Sequence, residues 1–215
     1  TLENLYKPLL NNILTPEILK ALLPLIENEV KQQFSDVYKE GDYTKGKNLI
    51  IYEVVKKFVS NFIQLEIKDV EAGNEIVVTA LEEEFKESLD VPGINFPVIL
   101  GGKVDRIDRY NGVLRIIDYK TGKVNTSDLH IVEWDVITEE YKYSKAFQVL
   151  AYATMYQSKY GLDTAEAGII SFKNLGAGFL KFATKPAAAS RTKNAIIDEE
   201  VLANYKEQLF SIITE

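Results

Sequence analysis

A chain of 215 residues, 46% hydrophobic and 27% charged, has material for one large domain or two small ones and an ordinary globular make-up. It holds no cysteine and one histidine, His130, which excludes disulfides, thiolate metal sites, cysteine-ligated iron–sulfur clusters, a cysteine nucleophile and any two-histidine site. The net charge of −7 weighs against a stand-alone nucleic-acid binder, unless a local patch or a neighbouring domain supplies the positive field.

What remains for metal chemistry is carboxylate oxygen, which suits hard cations such as magnesium and manganese. No apolar run approaches the roughly 18 residues of a membrane span, and the N-terminus lacks the basic start and apolar core of a signal peptide. The expected location is therefore the cytoplasm. The chain opens on Thr1 and its one methionine is Met155, so it reads as a piece of a longer or processed protein.

Thr15-Pro16-Glu17 is a helix start, with Thr as N-cap and Pro at the first helical position. Leucines at helical spacing carry that helix to about Gln33, and the polar, turn-rich residues 34–48 predict a loop. A second amphipathic helix covers 49–66, a strand 75–85, and a loop with Pro92-Gly93 covers 86–95. Two strand-like runs, FPVILGGKVDRIDRY and VLRIIDYKTGK, flank Asn111-Gly112, the strongest short hairpin signal because both residues tolerate positive φ. A long polar connection (123–145) leads to a helix over 146–160, ended by Gly161. A second strand pair (166–174 and 178–184) and a closing helix (196–215) complete a mixed α/β order with one central sheet.

A two-residue hairpin fixes register. Tyr110 then faces Val113, Ile107 faces Ile116 and Asp105 faces Asp118, while alternation puts Lys120 on the same face as Asp118. Directly opposed side chains have Cβ atoms about 4.5–5.5 Å apart. Two opposed carboxylates repel, and a divalent cation between them turns repulsion into chelation. Lys120 beside that cation would position a water or stabilise a phosphate oxygen, the ingredients of phosphodiester hydrolysis. On the other face Asp108 opposes Arg115 as a cross-strand ion pair and Arg106 opposes Ile117, a bland arrangement by comparison. The same residues admit two other readings: solvated surface charges, against which the flanking Ile107, Ile116 and Ile117 argue, and a metal enzyme for another phosphate substrate.

Gly102-Lys103-Val104-Asp105, then Asp118-Tyr119-Lys120-Thr121-Gly122, then Gln148 and Tyr152 in FQVLAY together resemble the PD-(D/E)XK nuclease superfamily. More narrowly they resemble the RecB/AddB-type nuclease domains of bacterial helicase–nuclease proteins. The resemblance spans residues 45–215, with 1–44 an N-terminal helical segment. It implies a restriction-endonuclease-like core, a central mixed β-sheet flanked by helices. It also implies a metal-dependent DNA exonuclease acting in double-strand-break repair and recombination, on single-stranded DNA fed by a helicase module in the same or a partner chain. Asp105 and Asp118 would hold magnesium or manganese, with Glu82 as a further metal-binding acid on the preceding strand. Lys120 would be the catalytic lysine, and Gln148 and Tyr152, one helical turn apart, would orient it or contact DNA. Arg106, Lys123 and Lys145 are the expected phosphate contacts, and His130 is expected on the surface. There are departures. Ile50 stands where many relatives carry a metal-binding histidine, and the absence of cysteine leaves no place for the iron–sulfur cluster of some relatives. No Walker-type phosphate loop is present, so a motor would lie elsewhere. The competing function is a catalytically inactive nuclease-fold domain that binds or channels DNA. The intact Asp–Asp–Lys set argues against it.

Overall fold

The computed structural model describes residues 1–37 and 43–215. They divide into two compact units, Thr1–Leu81 with Arg109–Asn111, and Glu82–Asp108 with Gly112–Glu215.

The first unit is helical: α1 (Leu2–Tyr6), α2 (Pro16–Leu22), α3 (Ile26–Val37) and α4 (Gly46–Glu71), followed by the start of β1 (Ile76–Leu89). Thr15 caps α2 as its sequence demands, its Oγ1 accepting from the Ile18 N–H at 3.3 Å. The single helix expected from Pro16 to Gln33 is instead two. Pro24 lacks an N–H and tightens Leu23–Leu25 into a 3₁₀ turn. Beyond that turn α3 runs into the expected loop because Phe34 has a core to enter. Residues 38–42 of that loop lie outside the described residues. α4 is longer than the apolar pattern, starting at Gly46 and reaching Glu71. Tyr6 donates its hydroxyl to the buried Glu66 carboxylate, so an acid inside this helical core has a partner.

β1 also outruns its expected end at residue 85, reaching Leu89. Inside it Glu82 takes φ 51, the left-handed region that a non-glycine residue occupies at a cost of about 1–2 kcal/mol. The boundary between the two units falls at this residue.

The remaining strands and helices are β2 (Val98–Tyr110), β3 (Val113–Lys120), β4 (His130–Ile131), α5 (Val136–Glu139), α6 (Ser144–Tyr160), β5 (Glu166–Ser171), β6 (Phe179–Lys181), β7 (Ala183–Thr184) and α7 (Glu199–Thr214). Asn111 and Gly112 carry φ 50 and 84, as a type I′ turn between β2 and β3 requires. The five-stranded sheet has the order β1-β2-β3-β5-β6. β3 and β5 run parallel with Asp118 opposite Ile169 and Lys120 opposite Ser171, whereas β5 and β6 run antiparallel, so the sheet is mixed. The parallel pair needs a crossover, and α6 supplies it, lying against β3 and β5 with α7 packed on it. The connection over 123–145 is more ordered than its polarity suggests. A 3₁₀ turn at Thr126–Leu129, closed by a reciprocal Asn125–Asp128 cap, leads into β4 and α5, and Leu129, Ile131 and Ile137 are buried. β7 leaves the main sheet to pair with β4. α7 starts at Glu199, three residues later than its pattern, because Asp198 caps it by accepting from the Val201 N–H at 3.0 Å.

The hairpin face expected to be bland is a buried charge cluster. Asp108, fully buried, accepts from Arg106 Nε at 2.7 Å and from Arg115 Nε and Nη2 at 2.7 and 2.8 Å. Arg115 also lies over the Phe179 ring, 5.3 Å from its centre.

Candidate active site

The site is assembled on β2, β3 and α6 of the second unit. β3 ends as the pattern Leu114-Arg115-Ile116-Ile117-Asp118-Tyr119-Lys120, in which the apolar residues are buried and carry Asp118 down with them to 3% exposure. Two residues on, Lys120 reaches back, its Nζ 3.1 Å from Asp118 Oδ1 in hydrogen-bonding geometry. Asp118 Oδ2 lies 2.8 Å from the same ammonium but off the hydrogen-bonding direction, and no other donor among the described residues reaches this buried oxygen. From β2, Asp105 Oδ2 accepts the Tyr119 N–H at 2.6 Å, which fixes its carboxylate against the C-terminal end of β3.

α6 completes the group. Lys120 Nζ donates to Gln148 Oε1 at 2.9 Å, and Gln148 Nε2 donates to the Tyr152 hydroxyl oxygen at 2.7 Å. Because the lysine claims the amide oxygen, the amide nitrogen must face Tyr152, whose own proton is left to donate outward. The two residues share a helix face at a spacing of four. Gly102 lets the helix come this close: a Cβ there would lie 3.0 Å from both the Tyr152 ring and the Met155 methyl. Beyond Lys120, Ser171 Oγ donates to the Gly122 carbonyl at 2.8 Å and ties down the following turn. Neither Ser171 nor the packing role of Gly102 is signalled by sequence pattern.

The electrostatics follow from burial. Asp105 is pushed up to about 6, chiefly by desolvation against the pull of the Tyr119 N–H, with Asp118 and Glu82 adding repulsion. Burial also raises Asp118, opposed by its hydrogen bond and charge pairing with Lys120. Tyr152 is raised, first by burial, so it stays a neutral hydrogen-bond donor. Two desolvated carboxylates, one with an oxygen lacking a donor, form an all-oxygen pair whose chemistry fits a hard divalent cation. Among the described residues, no three His, Cys, Asp or Glu side chains gather into an enclosing metal site.

The other nominated residues are placed as follows. Glu82 pairs with Lys103 at 2.6 Å rather than closing a triad with the two aspartates. Arg106 is 1% exposed within the Asp108 cluster, so its guanidinium is not presented to a phosphate. Lys145 pairs with Asp128 at 3.5 Å, and Lys123 is exposed in the turn after β3. His130 is half-buried on β4, and Ile50, on α4, is exposed. No helix of the described residues is long and apolar enough to cross a membrane.

A family model described as the PD-(D/E)XK nuclease superfamily matches residues 1–214, which includes the helical first unit as well as the site. No curated protein matches the chain.

Proposed function

Because the chain belongs to the PD-(D/E)XK nuclease superfamily, we propose that it hydrolyses DNA phosphodiester bonds at Asp105, Asp118 and Lys120. The observation that carries the reading is the continuous polar run Asp118–Lys120–Gln148–Tyr152, with the Asp105 carboxylate held beside it on β2. Asp105 and Asp118 would hold magnesium or manganese, with Glu82, whose charge acts on Asp105, as a further acid. When bound, such an ion lowers the pKa of water and offsets charge developing on the phosphate.

The rest is the work of the chain's own side chains. Lys120, held between Asp118 and Gln148, aims its remaining proton at the attacking water or a non-bridging phosphate oxygen. Gln148 keeps the ammonium from swinging wholly onto Asp118, and Tyr152 locks the amide orientation. Buried Asp118 stays in place because β3 is anchored on both sides by β2 and β5.

We further propose an exonuclease on single strands, coupled to a helicase module in the same or a partner chain, working in the cytoplasm in double-strand-break repair and recombination. Its support is the motif arrangement over residues 101–122 and 146–153. Linear single strands labelled at either end and a circular single strand, incubated in magnesium or manganese, test it. Short products from the linear strands with the circle intact are expected. Nicking of the circle would replace exonuclease by endonuclease, and no product from any strand would sink the reading.

A further inference from the structure

One stretch of the second unit runs against the charge balance of the whole chain. Residues 185–193 carry Lys185, Arg191 and Lys193 and no acid, in a chain of net charge −7. They form a closed loop. Thr184 and Asn194 exchange two N–H···O bonds of 2.9 Å at its base, and Lys185 N–H donates to the Ile131 carbonyl at 2.8 Å. The isolated antiparallel bridge of Thr184 with Asn194 brings Lys185 and Lys193, the next residue on each side, close together at the base of the loop.

No carboxylate meets these cations among the described residues. Lys185 Nζ turns to the Ala188 carbonyl at 2.6 Å, and Arg191 and Lys193 stand exposed. The neighbouring strand does not offset them: β4 places His130 opposite Ala183, its buried Nε2 without a hydrogen-bond partner among the described residues. Burial first, then Lys193 and Lys185, hold that imidazole below its usual range and so keep it neutral. Like charges held close together repel, and an anion lying along them reverses the sign. The cations are strung along an exposed loop rather than converging in an enclosed pocket, so they suit a chain of repeated anions better than one small ion. The loop is also tied to the active site by short connections. β4 begins ten residues after Lys120, and Asp128, just before β4, pairs with Lys145, three residues ahead of Gln148.

We infer that the Lys185–Lys193 loop is a second contact for the phosphate backbone of the strand that the active site cuts. The inference rests on the nuclease reading and extends it to residues outside the site.

Binding of a labelled single-stranded oligonucleotide, followed by anisotropy in metal-free buffer over a range of salt, tests it. The variant is Arg191→Gln with Lys193→Gln, two exposed positions with no carboxylate partner among the described residues, and its circular dichroism should match the native chain. Each lost phosphate contact on a single strand lowers the slope of log affinity against log salt by about 0.7, so the double variant should be shallower by about 1.4 and bind more weakly. A Lys7→Gln, Lys31→Gln control of equal charge change should keep the native slope. An unchanged slope in the Arg191 and Lys193 variant, or an equal change in the control, would overturn the loop contact while leaving the nuclease reading intact. A native chain that cuts DNA in magnesium or manganese yet shows no strand binding without metal would also remove the loop alone. A native chain that neither binds nor cuts removes both.

Discussion

Desolvation is what sets the Asp105 and Asp118 pair apart from ordinary surface acids. Asp105 is raised from 3.8 to about 6. A carboxyl raised on folding favours the folded state when protonated, so its stabilisation is complete below about 3.8 and is lost as pH rises through about 6. Between these values the metal-free native protein should therefore lose thermal stability relative to Asp105→Asn, which lacks this titration. A melting-temperature difference between the two proteins that stays constant over this window would contradict the assignment. Manganese affinity should climb as pH rises to about 6 and level off above it, since the ion competes with that proton. Gln148 acts through Lys120 and is a positioning residue. Gln148→Ala should lower kcat by about a hundredfold, the scale of a small misplacement. KM should be nearly unchanged and the pH profile shifted, which mere loosening of α6 would not produce. Asp105, Asp118 and Lys120 could be brought together from sequence because strand alternation and an Asn-Gly turn leave little freedom, whereas Gln148 was implied by the family resemblance alone. The pairing of Glu82 with Lys103, and the left-handed φ behind it, could not be foreseen, since neither depends on a local pattern.

Two glycines decide how closely the elements of the second unit approach. At Gly168 a Cβ would sit 2.2 Å from the Leu180 carbonyl oxygen, so Gly168→Ala must push β6 away from β5. A loss of about 1–3 kcal/mol in urea unfolding is expected, the usual cost of overpacking. Gly102→Ala first meets the Tyr152 ring and the Met155 methyl, both at 3.0 Å, and methionine can yield. Its effect should fall on activity more than on stability, by displacing Tyr152. Truncating Asp108 leaves two buried guanidinium groups without their shared carboxylate, and Asp108→Ala should cost about 3–5 kcal/mol. At this scale the sequence was readable wherever one residue dictates geometry, as Asn111-Gly112 and Thr15 do. It was misleading at Pro24, whose break was masked by continuing leucine periodicity, and on the Arg106–Asp108–Arg115 face. There the strand pattern showed a cross-strand ion pair but not that the rest of the fold would bury it.

For the molecule as a whole, the order of helices and strands was enough to expect one central sheet, its mixed character was implied by the motif resemblance, and the five-stranded sheet is mixed. Two features were out of reach. The strand order depends on α6 as a crossover, and the departure of β7 to join β4 depends on a pairing between segments some fifty residues apart. The motif resemblance covered residues 45–215, and the family match spans residues 1–214. The central claim is that one small set of side chains makes this acidic chain a nuclease. Single-turnover cleavage of an end-labelled single strand in magnesium and in manganese, by the native chain, Lys120→Ala and Asp118→Ala, tests it most directly. The account predicts metal-dependent cutting by the native chain and a fall of at least about a hundredfold in both variants. Variants that cut at the native rate, or a native chain inert in both metals, would contradict it.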